Sequence, residues 1–375
     1  MTASTETDAR YLARTIELAA LGEGRVSPNP MVGAVIVRDG EVLGEGFHHA
    51  AGQPHAEVEA IKDAGDVDLA GATIYVSLEP CCHQGRTPPC TDAIREAGLS
   101  RVVVASDDPS EHASGRGLGI LRDEGIEVVV GDGDIAARAR LLNQPFRKRA
   151  RCGRPWVLFK SAMSLDGKVA TGRGDSKWIS GERSRELVHQ WRGDLDAVAV
   201  GIGTALADDP LLTARPQVRP ANRQPRRIVF DSMARLSTSA RLLEDAATIP
   251  LTVVVSRAAP RAATDALENH GAEVIVAIGE NDRARVRSAL DQLGAAGVGS
   301  ILLEGGPRLA GTFLDADEID EVRLFLAPLL LGGRAARDPF ESDGVDSIAD
   351  AIRPLTFTHE MVGEDLLLCA RLKEW

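Results

Sequence analysis

The tightest constraint on this chain is set by one histidine and two cysteines. His55, Cys81 and Cys90 must converge from separate stretches of backbone if they are to share a metal ion. Imidazole and thiolate are zinc donors, and zinc takes four ligands in a tetrahedron. Three protein donors leave one position open to water, which marks a catalytic rather than a structural site. Glu57 lies two residues past His55 and is a poor fourth ligand, so it reads as the proton carrier beside the metal. His-x-Glu, then Pro-Cys, then a later Cys is the zinc-deaminase pattern. The chemistry implied is hydrolytic release of ammonia from an amino-bearing ring carbon. Cys82 and His83 lie in the same stretch and compete as ligands on spacing alone. A closed structural zinc site is the competing reading.

Strands and helices must alternate to bring such residues together, and the first part of the chain does alternate. Residues 11–21 have helical spacing, 32–37 form an apolar run, and Asp39-Gly40 signals a hairpin turn before 41–46. A helix is expected over 55–64, a buried strand over 73–78, a helix over 91–97 and a strand over 101–105. A further helix and strand follow at 118–124 and 126–130, so the fold class is α/β in layers. Pro80-Cys81 is expected to open a helix, whose partial positive charge would favour the thiolate.

Residues 143–155 (NQPFRKRARCGRP) are basic and show no apolar periodicity. They place a domain boundary near residue 150, dividing 1–150 from 151–375; a basic loop within one domain is the alternative. Strands are then expected at 156–160, 197–201, 227–230, 251–256, 273–277 and 300–304, with helices at 184–192 and 283–293. Two strands without a long helix between them close the chain, at 321–327 and 366–372.

A length of 375 residues suits two domains or three. The net charge of −12 opposes nonspecific nucleic-acid binding, which needs basic surface. No apolar run reaches the roughly 18 residues of a membrane span. The polar start, MTASTETDAR, has no apolar core of a signal peptide. Five cysteines, an odd number, do not form a disulfide framework and fit a reducing cytoplasm. The expected partner is a small molecule, with no nucleic acid and no membrane.

Ser27-Pro28-Asn29-Pro30, Val32-Gly33, His55-Ala56-Glu57 and the run from Glu79-Pro80-Cys81-Cys82-His83 through Gly85-Arg86-Thr87-Pro88-Pro89-Cys90 resemble the bifunctional deaminase-reductase family of riboflavin biosynthesis. The GRTPPC block is far more specific than a bare zinc-deaminase pattern. The resemblance implies His55, Cys81 and Cys90 as zinc ligands and Glu57 as the proton shuttle. It implies that Asn29, His48, His83 and Arg86 line a pyrimidine and ribose-phosphate pocket. Asn29 as a turn former and Arg86 as a surface charge are the plain alternatives. Cys82 departs from the family, which usually carries serine there, and has no assigned role.

In the second half, Gly201-Ile202-Gly203-Thr204 lacks the third glycine of a dinucleotide fingerprint. Glu304-Gly305-Gly306-Pro307 reads as a strand end passing into a helix start, where N–H groups can hold a phosphate; a simple turn is the alternative. Residues 160–168 (KSAMSLDGK), 174–180 (GDSKWIS) and 201–210 (GIGTALADDP), with Glu304-Gly305-Gly306, resemble the reductase half of the same family. The resemblance implies a cytidine-deaminase-like three-layer domain followed by a dihydrofolate-reductase-like α/β domain that uses NADPH. It implies Lys160 and Asp208 as catalytic groups near the sugar. Ser176, Arg192, Asp208, Leu212, Arg215 and Glu304 match substrate contacts, with Arg192 and Arg215 suited to a phosphate. Ala162, Trp178, Thr204, Ser232 and Gly306 match NADPH contacts. A surface position for Arg192 and a core position for Trp178 are the alternatives.

The implied reaction deaminates 2,5-diamino-6-ribosylamino-4(3H)-pyrimidinone 5′-phosphate. NADPH then reduces the ribosyl group to ribityl, giving 5-amino-6-ribitylamino-uracil 5′-phosphate. The family is usually oligomeric, which implies a homo-oligomer. A nucleoside or tRNA zinc deaminase with an inactive appended domain is the rival reading, and a zinc-stabilised binding module without catalysis is another.

Overall fold

The computed structural model describes residues 6–85, 88–111, 113–217 and 223–375. The chain divides into two compact units. One runs to Gly153 and includes Trp375; the other spans Arg154–Glu374.

The first unit contains α1 (Glu6–Ala20), β1 (Gly33–Arg38), β2 (Glu41–Phe47), α2 (Ala56–Asp63), β3 (Thr73–Val76), α3 (Cys90–Glu96), β4 (Arg101–Val104), α4 (Arg116–Asp123), β5 (Glu127–Val130), α5 (Gly133–Leu142) and α6 (Gln144–Cys152). Its five strands lie in the order β2-β1-β3-β4-β5. β1 runs antiparallel to both β2 and β3, whereas β3, β4 and β5 are parallel. Successive strand residues point to opposite faces, and both faces here are apolar. Val35, Tyr75, Val103 and Val129 pack with Leu12 and Ile16 of α1 and Ala139 of α5. Ala34, Ile74, Val76, Val102 and Val104 pack with Ala56 and Ala60 of α2, Ile94 of α3 and Leu118 of α4. The unit is therefore three layers, helix–sheet–helix, as the resemblance implied.

Close backbone approach fixes α2 against the sheet. A Cβ placed on Gly46 of β2 would lie 2.4 Å from the Ala60 nitrogen and 2.5 Å from the Ala56 oxygen, so only glycine lets strand and helix meet. That contact sets where the first turn of α2, with Glu57, sits above the sheet.

The second unit contains β6 (Trp156–Ser164), α7 (Glu182–Asp194), β7 (Ala197–Gly201), α8 (Ile202–Asp208), β8 (Arg226–Phe230), α9 (Arg241–Glu244), β9 (Leu251–Ser256), α10 (Arg261–Asn269), β10 (Glu273–Ala277), α11 (Asp282–Ala295), β11 (Ser300–Leu303), α12 (Pro307–Asp315), β12 (Glu321–Ala327), β13 (Thr356–Val362) and β14 (Asp365–Arg371). These strands form one nine-stranded sheet, β10-β9-β8-β7-β11-β6-β12-β14-β13. β10 through β12 are parallel, and β14 and β13 add antiparallel at one edge. β11 threads between β7 and β6. One face buries Val157, Phe159, Ile228 and Ile301 against Leu290 and Leu293 of α11 and Phe313 of α12.

Two expectations are corrected. Residues 144–152 are helix, not an irregular linker, and this helix buries Arg147 and Lys148 rather than apolar side chains. Arg147 sits at 0% exposure because its guanidinium donates to the Asp107 backbone carbonyl and carboxylate. Pro80-Cys81 opens no helix; the nearest helix start is that of α3, at Cys90.

Candidate functional site

In the first unit, the metal-ligand candidates arrive from a helix start and the two ends of one loop. His55 is the N-cap residue of α2, and Glu57 lies in its first turn at 3% exposure. Cys81 follows β3, on a segment pinned when the Glu79 nitrogen donates to the Ser106 carbonyl. Glu79 itself is buried, and its Oε2 accepts from the Gly115 nitrogen at 3.0 Å. Cys90 opens α3 after Pro89, the N-cap residue. The Cys90 nitrogen donates to Cys81 Sγ at 3.3 Å. The helix start that favours the Cys81 thiolate is thus that of α3, reached across the loop.

His55 Nδ1 lies 3.3 Å from Cys90 Sγ and 3.5 Å from Cys81 Sγ. All three donor atoms fall within 4.8 Å of one another. Zinc bonds of about 2.0–2.1 Å to nitrogen and 2.3 Å to sulfur put such donors about 3.6 Å apart across a tetrahedral angle. The donor set therefore fits zinc in both chemistry and spacing. Cys82 and His83 lie outside this cluster: Cys82 is half-buried and His83 exposed on the loop. Hydrogen bonds from Cys90 and His55 hold the Cys81 thiol well below its usual range, against the effect of burial. Cys90, on the other side of that bond and buried, is held high. Burial first, and the Cys81 charge second, push the Glu57 carboxyl up to about 7.

His48 is buried at 2% exposure beside His55, ring edge to face at 5.2 Å. Its Nδ1 lies 3.0 Å from the Pro54 carbonyl and its Nε2 lies 3.1 Å from Asn29 Nδ2. The carbonyl can only accept and the amide nitrogen only donate, so Nδ1 carries the proton and Nε2 accepts. Burial lowers the His48 pKa, which keeps the ring neutral in that role. Asn29 and His48 thus form one polar wall next to His55. Arg86 lies outside the described residues.

In the second unit, the reductase-side candidates line one cavity of about 2020 Å³. It opens along the carboxyl ends of the parallel strands, where α/β sheets bind ligands. Lys160 projects from β6, and Glu304 follows β11 next to it. Arg192 of α7 grips Glu304 with two hydrogen bonds, Nε to Oε1 at 2.6 Å and Nη2 to Oε2 at 2.8 Å. At 13% and 12% exposure, this pair is interior, so Arg192 is not a surface charge. Burial raises the Glu304 carboxyl, but Arg192 and then Lys160 outweigh it and leave the pKa lowered. The Lys160 ammonium is lowered by burial, with Glu304 opposing and Arg192 adding.

Asp208, at the end of α8, pairs with Lys177 Nζ at 2.9 Å. Leu212 is buried at 3% exposure, and Arg215 Nη1 donates to Thr213 Oγ1 at 3.0 Å. These residues and Ser176 line the same cavity as Lys160. So do Ala162, Trp178, Thr204, Ser232 and Gly306. Trp178 is 71% exposed, which rules out a core position, and the Arg185 guanidinium lies 4.8 Å from its ring centre. Gly306 is the N-cap residue of α12, so the expected strand-to-helix turn borders the cavity.

The structure brings two further residues to these sites, Glu79 and His189. Glu79 sits one residue before Pro80-Cys81, and its place in that motif was the available signal. His189 lies on α7 between Glu186 and Arg192 at three-residue spacing and lines the cavity. Among the described residues, no helix is long and apolar enough to cross a membrane.

Comparison with known proteins agrees with this geometry. Residues 155–368 match the model of the RibD C-terminal domain. Residues 5–106 match that of the cytidine and deoxycytidylate deaminase zinc-binding region. The riboflavin biosynthesis protein RibD of Actinobacillus pleuropneumoniae is 40% identical over 364 residues, covering 97% of this chain and 95% of that protein. The RibD of Escherichia coli (strain K12) is 40% identical over 360 residues, covering 92% and 94%. Among solved structures, Acinetobacter baumannii RibD matches with a TM-score of 0.86 at 37% identity, over 98% of this chain and 99% of that one. The diaminohydroxyphosphoribosylaminopyrimidine deaminase/5-amino-6-(5-phosphoribosylamino)uracil reductase of Thermotoga maritima matches with a TM-score of 0.83 at 36% identity, over 98% and 99%.

Proposed function

The chain belongs to the RibD family of riboflavin biosynthesis proteins, and from that premise we propose two successive reactions on one chain. The first is hydrolytic deamination of 2,5-diamino-6-ribosylamino-4(3H)-pyrimidinone 5′-phosphate. The second is NADPH-dependent reduction of the ribosyl group to ribityl, giving 5-amino-6-ribitylamino-uracil 5′-phosphate. We assign deamination to the unit that ends at Gly153 and reduction to Arg154–Glu374.

The observation that carries this reading is the convergence of His55, Cys81 and Cys90 around a buried Glu57. Zinc, held by those three residues, would supply a water of lowered pKa. Glu57, buried in the first turn of α2 with its carboxyl pushed up by that burial, is placed to take a proton from water and pass it to the leaving amine. Neutral His48, with both ring nitrogens engaged, holds Asn29 in place, and Asn29 can offer a hydrogen bond to the ring beside it. His83 and Arg86 are assigned to the same pocket by their family match.

The cavity of the second unit, about 2020 Å³, exceeds the 300–1,000 Å³ or so of an ordinary ligand pocket. It has room for a dinucleotide and a substrate side by side. NADPH bound there supplies the hydride, and the protein orients the two ligands. We place the cofactor against Ala162, Trp178, Thr204, Ser232 and Gly306. We place the substrate against Ser176, Leu212, Glu304 and the guanidinium groups of Arg192 and Arg215. Lys160 and Asp208 are assigned to the sugar, where a lowered ammonium pKa makes Lys160 a ready proton donor.

The net charge of −12 opposes nonspecific nucleic-acid binding, and we assign a small phosphorylated molecule as the partner from the family match. We assign the protein to the cytoplasm as a homo-oligomer, in line with five cysteines that form no disulfide and with the family resemblance. A coupled assay tests the whole reading. The purified protein is given the diaminopyrimidinone phosphate and NADPH, and ammonia and NADPH are followed together. Equal amounts of ammonia released and NADPH consumed are expected. Activity on cytidine or tRNA adenosine with none on the pyrimidinone phosphate would favour the nucleoside-deaminase rival.

A further inference from the structure

One face of α7 and an extended stretch of chain meet in a regular ladder. Arg192 Nη1 donates to the Thr213 carbonyl at 3.2 Å. The Arg215 nitrogen donates to His189 Nδ1 at 3.3 Å. The Gln217 nitrogen donates to Glu186 Oε1. Residues 192, 189 and 186 lie one helical turn apart and share a face. Residues 213, 215 and 217 alternate along an extended segment and point the same way. Between them, Ala214 turns to the other side and is held there by the Gln224 amide, which accepts from its nitrogen and donates to its carbonyl, both at 2.9 Å. The segment is thus gripped along both edges, and every rung on the α7 side comes from a side chain.

This segment delivers Leu212 and Arg215 to the cavity. Arg192 is positioned by its two bonds to Glu304, so the guanidinium whose position depends on the ladder is that of Arg215. His189 is the middle rung and borders the cavity itself. Accepting from the Arg215 nitrogen requires a bare Nδ1, hence a ring without its second proton. Burial first, then the Arg192 and Arg215 charges, lower the His189 pKa and keep that lone pair available.

We propose that His189 is a positioning residue for the reductase half, fixing the backbone at Arg215 so that its guanidinium meets the phosphate of the substrate. The proposal rests on the reductase reading above. It assigns His189 no contact with the reacting atoms, only control over where Arg215 stands.

Two variants test it. His189→Ala removes the acceptor; His189→Asn keeps an amide oxygen near the place of Nδ1. One hydrogen bond of this kind corresponds to about a three- to tenfold effect. His189→Ala should raise KM for 5-amino-6-ribosylamino-uracil 5′-phosphate by that factor, with kcat within about twofold and the Kd for NADPH unchanged. His189→Asn should recover most of the loss. Hydrogen exchange read by mass spectrometry should show the Arg215 amide losing protection in His189→Ala and regaining it in His189→Asn. A KM shift below twofold, a matching loss of NADPH affinity, or an Asn variant no better than Ala overturns the proposal. If the wild-type protein consumes no NADPH with this substrate, the reductase reading falls; the exchange comparison then decides the clamp alone, and unchanged Arg215 protection in His189→Ala refutes it.

Discussion

Replacing Glu304 with glutamine isolates the charge that the reductase-side cavity is built around. Glutamine keeps the length of the side chain and one carbonyl oxygen, but leaves the Arg192 guanidinium without its carboxylate. Arg192 and Glu304 are 13% and 12% exposed and joined by two bonds of 2.6 and 2.8 Å, so neither group can turn to water without moving α7. Breaking a buried pair from one side costs about 3–5 kcal/mol; a remaining charged-to-neutral hydrogen bond returns part of that, leaving about 3 kcal/mol. In a unit of this size, that corresponds to a fall in Tm of roughly 6–12 °C. The loss should also depend on pH. The Glu304 carboxyl is lowered in the folded protein, so its contribution is complete above the unfolded value of about 4.3 and is lost as pH falls through the folded value. Urea unfolding of wild type and Glu304→Gln at pH 7, and again stepwise below pH 4.3, should show a difference that shrinks on acidification. Lys160 should respond too, because Glu304 is what supports its ammonium; its pKa should fall further in the variant. A difference under 1 kcal/mol at pH 7, or one that stays constant down to pH 3, refutes the account of this pair.

Further perturbations separate the two halves. Glu57→Ala should stop ammonia release yet leave NADPH oxidation intact when the deaminated substrate is supplied; Lys160→Ala should do the reverse, and loss of both activities in either folded variant would contradict independent sites. Stripping zinc with a strong chelator should abolish ammonia release and spare NADPH oxidation, with activity returning when zinc is added back; persistent ammonia release after verified metal removal would exclude the zinc role. Gly46→Ala forces a Cβ to within 2.4 Å of the Ala60 nitrogen, and overpacking of this kind costs about 1–3 kcal/mol. Calorimetry should show the first unit destabilised, and a variant as stable as wild type would mean that α2 can move off β2 freely.

The sequence made some elements plain and hid others for physical reasons. Both faces of β1 and β3 are buried, so their apolar runs stood out against their flanks. The helix over Gln144–Cys152 carries no such signal because its buried positions include Arg147 and Lys148, whose partners, Asp107 and the Trp375 ring, lie far away in sequence. The edge strand β13 is exposed along almost all its length and was missed for want of an apolar contrast with its surroundings. A zinc site was legible from residue type, but spacing left Cys82 and His83 as competitors, and the resemblance singled out His55, Cys81 and Cys90. The source of the positive helix end beside Cys81 was not, since the Cys90 nitrogen reaches it only after the intervening loop has folded back. The His189 rung was invisible for the same reason: its partner, the Arg215 nitrogen, is 26 positions away and carries no side-chain signature.

The sheet order of the second unit also has a consequence for biosynthesis. β6 leaves the ribosome first, yet its neighbours in the finished sheet are β11 and β12. β7, β8, β9 and β10 can pair with one another as they emerge, while β6 waits for a partner that has not been translated. Only when β11 slots between β7 and β6 do the early strands become one sheet. That same step brings Glu304 beside Lys160. A nascent or prematurely terminated chain that stops short of β11 therefore holds most of the strands of this unit but lacks the carboxylate that Arg192 grips, so the cavity stays incomplete until the chain beyond β10 is made.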